Sequence, residues 1–265
     1  MRFAAVSDIH GNLPALEAVL ADIASAQVDL TVNLGDILSG PLWVADTAER
    51  LMALNLPTIR GNHERQVLTP PREALGAADA FAAAQLGPTQ LDWLAALPAA
   101  LQLGDEVFCC HGTPASDLEY FLETVVAPGY AGSGAPGVRA ATPAEAAQRA
   151  GDAMRGVPHA LILCGHTHRP RAMQLADGRL VVNPGSVGLQ AYDDEHPCPH
   201  VIENATPHAR YALFTRLGAG WQVELRCVPY DWEAAARRAE DNHRPDWADA
   251  LRTGFVGRWE APVAA

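Results

Sequence analysis

The sequence lacks any apolar run long enough to cross a bilayer, which requires about 18 consecutive residues. The apolar stretch at its start, Phe3 to Val6, is also far too short for the hydrophobic region of a secretory signal. We therefore expect no membrane partner, and a cytoplasmic location is the default prediction.

Positive charge is also scarce. The 265 residues include 19 basic and 31 acidic side chains, which gives a formal net charge of −12 at pH 7. Such an excess of acid leaves no basic surface for duplex nucleic acid or for an anionic membrane. We therefore predict that neither duplex nucleic acid nor an anionic membrane is a partner. The oligomeric state cannot be derived from this one sequence.

A disulfide framework is not expected either. The five cysteines are an odd number, and three of them, Cys109, Cys110 and Cys164, lie within apolar runs. Buried thiols in a reducing compartment explain this pattern better than paired cysteines do. We assign these thiols no chemistry.

The sequence does contain five short polar clusters, each placed directly after an apolar, strand-like run. In open α/β sheets a ligand lies beyond the carboxyl ends of the strands, so loops distant in sequence converge there. The pattern therefore predicts one shared site. The clusters are SDIHGN (Ser7 to Asn12), LGD (Leu34 to Asp36), RGNHE (Arg60 to Glu64), CHGTP (Cys110 to Pro114) and CGHTH (Cys164 to His168).

These clusters supply seven oxygen and nitrogen donors suited to divalent metal ions. Seven donors are too many for one tetrahedral ion and too few to close two octahedral shells, so we expect two ions with open positions and one bridging carboxylate. Two ions about 3.5–4 Å apart are the usual arrangement for phosphoryl chemistry. The predicted ligands are Asp8, His10, Asp36, Asn62, His111, His166 and His168.

The motifs D-x-H, G-D, G-N-H, H-G and G-H-x-H, in this order across residues 8 to 168, resemble those of the calcineurin-like metallophosphoesterases. The stretch from Asn183 to Gly188 further resembles the bacterial branch related to YfcE-type phosphodiesterases. The resemblance implies an α/β fold, a four-layer αββα sandwich with two mixed β-sheets flanked by helices. We interpret residues 1–265 as a single metallophosphoesterase domain.

The resemblance also assigns roles to the predicted ligands. It places Asp36 as the bridge between the ions and identifies His63 as the histidine that contacts the phosphate and protonates the leaving oxygen. Mn²⁺ is the expected metal, and Fe, Zn²⁺ or Ni²⁺ also suit such a mixed donor set. One ion is assigned Asp8, His10, Asp36 and His168, and the other Asp36, Asn62, His111 and His166.

The expected reaction is hydrolysis of a phosphoester by a metal-bound hydroxide, with His63 assisting the leaving group. A phosphodiesterase acting on a small phosphorylated substrate, with nucleotide-type diesters among the candidates, is the first hypothesis. A phosphomonoesterase or nucleotide pyrophosphatase with the same site stays open, as does a non-catalytic scaffold. Protein phosphatases of the superfamily carry an arginine soon after the G-D block, whereas here no basic residue occurs between Asp36 and Arg50. Protein phosphatase activity is therefore disfavoured.

Helical periodicity and capping signals predict the remaining elements. The strand-like runs within residues 171–229, with a hairpin at Asp177-Gly178, predict a second, largely antiparallel sheet. The Gly- and Pro-rich stretch within residues 115–140 and the stretch Ala191 to His200 are interpreted as loops. The predicted helices follow Asn12 or lie near Val44 to Ala53, within Arg72 to Leu97, and at Thr142 to Met154, Trp232 to Asp241 and Trp247 to Arg252.

Five other side chains have two interpretations each. Tyr120, Phe121 and Tyr130 either stack on an aromatic part of the substrate or pack their loop onto the body of the protein. His208 and Arg210 approach a phosphate only if their strand borders the cleft.

Overall fold

The structure, a computed structural model, describes residues 1–69, 71–127 and 137–257. Its strands are, in chain order, β1 Arg2–Val6, β2 Leu30–Asn33, β3 Ala100–Leu103, β4 Val107–Cys110, β5 Glu123–Val125, β6 Val138–Ala140, β7 Leu161–Leu163, β8 Arg171–Gln174, β9 Leu180–Asn183, β10 Ala191–Asp194, β11 His200–Glu203, β12 Ala209–Leu217 and β13 Gly220–Val228. Its α-helices are α1 Leu13–Ser25, α2 Val44–Leu54, α3 Asn62–Leu68, α4 Ala77–Gln85, α5 Pro88–Ala96, α6 Pro143–Ala150, α7 Trp232–Asp241 and α8 Pro245–Thr253.

The first sheet has the strand order β13-β12-β1-β2. β1 and β2 are parallel, whereas β12 runs antiparallel to both β1 and β13. Beyond β2, Thr58 forms an isolated parallel bridge with Asn33, which is all that remains of the strand predicted at Pro57 to Ile59. The loops that follow β1 and β2 therefore emerge side by side from one edge.

The second sheet has the order β3-β4-β7-β9-β8, with β4, β7 and β9 parallel and antiparallel strands at both edges. The hairpin predicted at Asp177-Gly178 joins β8 and β9. The expectation that residues 171–229 form a sheet of their own is wrong, because β9 pairs with β7 and β12 pairs with β1. Both β9 and β12 carry consecutive buried residues, such as Val181-Val182 and Leu213-Phe214, and strands that bury both faces belong inside a covered sheet.

The two sheets pack face to face, with helices on both outer faces. Phe3 and Phe214 of the first sheet stack with ring centroids 4.8 Å apart, and they share one apolar cluster with Leu163 of the second sheet. α1 covers the outer face of the first sheet, and α6 covers that of the second through Ala146. The four-layer αββα architecture predicted from the motifs is therefore confirmed.

Capping residues fix where several helices begin, as predicted. Asn12 accepts a hydrogen bond from the backbone N–H of Ala15 at the start of α1. At α6, Thr142 Oγ1 accepts from the Glu145 N–H while the Glu145 carboxylate accepts from the Thr142 N–H, which is the predicted capping box. This helix ends at Ala150 rather than Met154, because Gly151 takes a φ of +50°.

Four pieces of regular structure were not predicted, the edge strand β3 among them. The polar cluster Arg60 to Glu64 leads into a helix, α3, and the stretch Ala191 to His200 includes β10 and leads into its antiparallel partner β11. A short pair, β5 and β6, borders the Gly- and Pro-rich stretch. Tyr130 lies outside the described residues. None of the described helices has both the length and the apolar character needed to cross a membrane.

Candidate metal centre

The predicted ligands meet where the carboxyl ends of the parallel strands in both sheets come together. Backbone hydrogen bonds hold their loops in place: the Asp8 N–H donates to the Gly35 carbonyl at 2.9 Å, and the Gly165 N–H donates to the His111 carbonyl at 2.7 Å. Asp8 and His10 follow β1, Asp36 follows β2, Asn62 begins α3, His111 follows β4, and His166 and His168 follow β7.

The side chains form two compact groups of possible metal donors. In one group, donor atoms of Asp8, His10 and His168 all lie within 4.8 Å of one another. In the other, the same holds for Asp36, His111 and His166. These groups match the two ligand sets that the family resemblance implies. The seventh predicted ligand, Asn62, is buried and lines the same cleft.

The backbone is strained at five of these positions. Left-handed φ values cost a residue with a side chain about 1–3 kcal/mol and persist only where the surrounding structure enforces them. Such strain is typical of functional sites, where the side chain must point in a direction that relaxed backbone does not allow. The φ values are +54° at Asp8, +53° at His10, +53° at Asp36, +67° at His166 and +56° at His168.

Two glycines of the motifs allow the loops to approach each other closely. A Cβ atom on Gly61 would lie 2.2 Å from Asp36 Oδ1, and one on Gly165 would lie 2.0 Å from Ser7 Oγ. Neither contact is sterically possible, so glycine precedes Asn62 and His166 for a packing reason. The G-N-H and G-H-x-H motifs thus encode the proximity of the loops as well as the donors.

Hydrogen bonds orient three of the histidines with Nε2 towards the centre. The Nδ1 atoms of His10, His111 and His168 lie 2.7, 2.8 and 2.7 Å from the backbone carbonyls of Ser39, Leu34 and Leu189. A carbonyl only accepts, so each Nδ1 carries the proton. In His10 and His168, whose pKa values burial lowers, Nε2 then holds a lone pair, which is the usual arrangement of histidines that bind metals. Burial alone would lower the pKa of His111, but the charges of Asp36 and Asp8 raise it to about 10, so its Nε2 also carries a proton, which a bound cation would displace.

Several buried polar atoms in the centre have no hydrogen-bond partner in the protein. The Nε2 atoms of His10 and His168 lie 3.1 Å apart, and the tautomers assigned above leave neither with a proton to share. Asp8 Oδ2 and Asn62 Oδ1 are buried without a hydrogen bond, and His111 Nε2 lies 2.9 Å from Asp36 Oδ2. The lone pairs of His10, His168, Asp8 and Asn62 converge without donors, an arrangement that fits divalent cations.

The electrostatics of the side chains are consistent with this interpretation. Burial lowers the pKa of His10 to about 4 and that of His166 to about 3, so both are neutral at pH 7, as metal ligands must be. Burial would raise the pKa of Asp36, but the neighbouring His111 and His63 hold it well below its usual range. Asp36 is therefore an anion within the second group of donors.

Glu64 binds the backbone of two loops of the centre, a role that was not recognised from the sequence. This buried carboxylate accepts backbone N–H groups from Asp36 at 2.9 Å, Ile37 at 2.8 Å and Gly61 at 2.8 Å. It thereby joins the loop after β2 to the start of α3. The signal was present, because a glutamate three residues after the residue that precedes a helix is a capping pattern.

His63 lies at the edge of the centre and faces the cleft. Its Nδ1 is 2.8 Å from Asp79 Oδ1, so Nδ1 donates to the carboxylate, and its Nε2 lies 4.0 Å from Asp36 Oδ2. Burial alone would lower the pKa of His63, but the charges of Asp36 and Asp79 raise it to about 9. Asp79 lies in the first turn of α4, and no motif in the sequence pointed to it.

We expect Asp79→Asn to move the alkaline limit of activity to lower pH. His63 has a raised pKa, so its protonated form is present at neutral pH and is lost as the pH rises through about 9. Removal of the Asp79 charge lowers this pKa, and the proton is then lost earlier. The check is the pH profile of kcat/KM for a diester with a poor leaving group, with the exposed Asp92→Asn as control. An unchanged profile would contradict the proposed pairing.

Other candidate residues lie away from the centre or have structural partners. The Arg210 guanidinium donates to Gln190, Asn204 and Thr206, and His208 packs beside Trp232 with ring centroids 5.4 Å apart. Neither faces the cleft, so the interpretation that they bind phosphate is wrong.

The aromatic residues before β5 belong to the body of the protein. Phe121 is buried in the apolar cluster beneath α6, whereas Tyr120 borders the cleft and its hydroxyl lies 2.7 Å from that of Tyr192.

Cys110 and Cys164 are buried free thiols whose pKa burial raises well above the usual value, as expected for core residues.

The centre opens into a cleft of about 1360 Å³. Tyr120, Tyr192 and residues of α8 line it. On α8, Trp247 places its ring 5.8 Å from the His10 imidazole. This helix, which carries no chemical motif, thus forms part of the wall of the site.

Comparisons with known proteins agree with the fold. An uncharacterized protein from Methanocaldococcus jannaschii, MJ0912, is 26% identical over 96% of this chain and 98% of its own length. A metallophosphoesterase from Sphaerobacter thermophilus superposes with a TM-score of 0.68 at 24% identity, covering 95% of this chain and 98% of that one. Hypothetical protein PH1004 from Pyrococcus horikoshii gives a TM-score of 0.69 at 20% identity, covering 96% of this chain and 98% of that one.

A family model provides the assignment. The calcineurin-like phosphoesterase superfamily domain matches residues 1–203, which include every predicted ligand and the strands that carry them. The remaining residues add β12 and β13 to the first sheet and the helix pair, of which α8 lines the cleft. This chain belongs to the calcineurin-like phosphoesterase superfamily.

Proposed function

We propose that this chain, as a single domain over residues 1–265, is a metal-dependent phosphodiesterase that acts on small diesters, nucleotide-type diesters included. The observation that carries the proposal is the convergence of seven donor side chains, some with buried atoms that lack a hydrogen bond, beside a protonated histidine. A scaffold protein has no need for such strained and unsatisfied groups. Hydrolysis of a phosphoester uses all of them.

The donors divide between two divalent ions, with Mn²⁺ as the expected metal. When bound, the ions would polarise the phosphoryl oxygens and make the attacking water more acidic. Asp36 would be a ligand to both ions, and its Oδ1 accepts the His63 backbone N–H at 3.0 Å. One ion would be held by Asp8, His10, Asp36 and His168, and the other by Asp36, Asn62, His111 and His166.

His63 is proposed to supply the proton that the leaving group needs. The water oxygen loses a proton to solvent and forms a bond to phosphorus as the bond from phosphorus to the leaving oxygen breaks, and the Nε2 proton of His63 passes to that leaving oxygen. Solvent then returns a proton to the imidazole. Asp79 positions the ring by holding Nδ1 at 2.8 Å, so that Nε2 points into the cleft.

The surroundings of the centre favour a diester over a monoester. A monoester is a dianion at neutral pH, and enzymes that bind it well add arginine side chains to the metal ions. Arg65, which follows the G-N-H motif, instead binds Asp117 through both Nε at 2.6 Å and Nη2 at 2.9 Å. The proposed substrate therefore carries one negative charge at the reacting phosphate.

The test compares bis-p-nitrophenyl phosphate with p-nitrophenyl phosphate, using metal-stripped protein to which Mn²⁺ has been returned and Asp36→Asn as the blank. We expect turnover that depends on Mn²⁺, prefers the diester and is lost in the blank. Preference for p-nitrophenyl phosphate would instead identify a phosphomonoesterase. No turnover of either ester at saturating Mn²⁺ would overturn the catalytic proposal.

A further inference from the structure

The walls of the cleft beyond the metal centre carry an excess of negative charge. Among the described residues that line the cleft, only Arg149 and Arg244 are arginines. Lysine cannot contribute, because all 19 basic residues of the chain are arginines. The carboxyl side chains that line the cleft outside the centre and its histidine partner are Glu119, Glu123, Asp193, Asp194, Asp246 and Asp249. Of these, Glu123 is buried and accepts from Arg171 Nε at 2.8 Å, so it adds little net charge.

Both arginines of the cleft wall are already bound within the protein. Arg244 holds the Asp246 carboxylate through Nε at 2.9 Å and Nη2 at 2.6 Å. Arg149 donates from Nη1 to the backbone carbonyls of Phe121 at 3.0 Å and Glu123 at 2.9 Å, and its Nε lies 3.7 Å from Glu119. Neither guanidinium is available to neutralise a further anion.

Two carboxylates at the end of β10 have no arginine partner among the residues that the structure describes. Asp193 is exposed, and Asp194 accepts only the backbone N–H of His196, at 2.9 Å, with the His196 ring 3.7 Å away. Their charges therefore act on whatever enters the cleft. Trp247 and Ala250 of α8, which packs against β10, add apolar side chains to the lining of the cleft.

This distribution of charge limits the substrates that the cleft can hold. Two carboxylates, those of Asp8 and Asp36, cancel half of the charge of two divalent ions, and one phosphodiester adds a single negative charge. Among the lining residues that the structure describes, a second phosphate on the substrate would meet carboxylates and paired arginines. Repulsion of this kind costs more in a cleft than in open solvent, because low-dielectric walls focus the field.

We propose that the cleft selects phosphodiesters with a single phosphate and neutral or cationic ester groups, and rejects substrates that carry an additional phosphate. This inference rests on the proposed phosphodiesterase function and narrows its substrate class. It favours a phosphodiesterase that acts on nucleotide-type diesters over a nucleotide pyrophosphatase. A nucleoside polyphosphate, the substrate of a pyrophosphatase, would bring uncompensated negative charge to the wall around Asp193 and Asp194.

The test uses two substrates that differ by one phosphate. They are the 5′-p-nitrophenyl esters of thymidine 5′-phosphate and of thymidine 3′,5′-bisphosphate, which share the nucleoside and the leaving group. We expect kcat/KM to be at least about tenfold lower for the bisphosphate at low ionic strength, and the ratio to narrow as salt screens the walls. Equal kcat/KM values for the two esters would overturn the inference.

Two variants test which carboxylates lower kcat/KM for the bisphosphate ester. Asp193→Asn with Asp194→Asn removes the unpaired charges and keeps the Asp194 acceptor, whereas Asp246→Asn releases Arg244 from its carboxylate. Each variant should raise kcat/KM for the bisphosphate ester, relative to kcat/KM for the monophosphate ester, by roughly threefold or more. Glu195→Gln, in the same segment but outside the lining, is the matched control, and metal content and thermal unfolding confirm that each variant is folded.

The outcomes separate the two proposals. If neither salt nor these folded variants changed the ratio of kcat/KM for the two esters, the role of the cleft walls would be overturned. Hydrolysis of both esters would still support the phosphodiesterase proposal. Failure of the unmodified, Mn²⁺-loaded protein to hydrolyse either ester would overturn both.

Discussion

Asp36→Asn is expected to lower kcat/KM for a phosphodiester by at least about 10³-fold, which corresponds to about 4 kcal/mol of transition-state stabilisation. Asp36 is the only proposed ligand shared by both ions, and it is 1% exposed. Asparagine keeps the shape of the side chain and an oxygen that can accept the His63 N–H, but it removes the negative charge between two cations. The loss should therefore come from the metal centre and not from the fold.

Metal content provides the second measurement for this variant. The protein is expected to retain about two ions per chain after loading with Mn²⁺ and gel filtration, and Asp36→Asn about one or fewer. Asp92→Asn, on the exposed side of α5, makes the same chemical change and should alter neither activity nor metal content. Full activity or full metal content in Asp36→Asn would show that this carboxylate is not the bridge.

Much of the architecture could be predicted because its determinants are local. Each strand of the parallel cores is a short apolar run followed directly by a polar cluster, and the family motifs gave the order of those clusters. The capping pattern at Thr142 and the hairpin signal at Asp177-Gly178 are also local, and both lie where they were expected. The four-layer fold follows from such pieces because the motifs that the family shares fix their arrangement.

The pairing of the C-terminal strands could not be predicted, because it depends on contacts distant in sequence. β12 pairs with β1 over more than 200 residues, and nothing within its own sequence specifies that neighbour. Asp79 was missed for the same reason. It looks like an ordinary acidic residue in the first turn of a helix, and only the packing of α4 beside α3 brings it to His63.

The walls of the cleft show a further limit of motif analysis. The motifs supply the donors that act on the phosphate, but the residues that meet the rest of a substrate come from α8 and β10, which carry no motif. In the sequence Asp193 and Asp194 resemble any solvated acidic stretch. Their place beside the metal centre is visible only in the fold.

His63→Ala is expected to lower kcat/KM by about 10²- to 10⁴-fold for a diester with an alkoxide leaving group, such as a dinucleoside monophosphate. The leaving alkoxide is strongly basic and needs the Nε2 proton as it departs. For bis-p-nitrophenyl phosphate the same substitution should cost much less, because p-nitrophenolate leaves without protonation. The ratio of the two losses therefore reports proton donation separately from binding.

A control variant and a rescue experiment test whether the loss reflects the imidazole itself. His196→Ala removes a histidine from the lining of the same cleft, where the side chain is 92% exposed. This variant should change kcat/KM for neither substrate. Added imidazole should restore part of the activity of His63→Ala on the alkoxide substrate only, because the vacated space beside Asp79 faces the cleft. Equal losses on both substrates, with no rescue, would instead mean that His63 binds the phosphate without donating a proton.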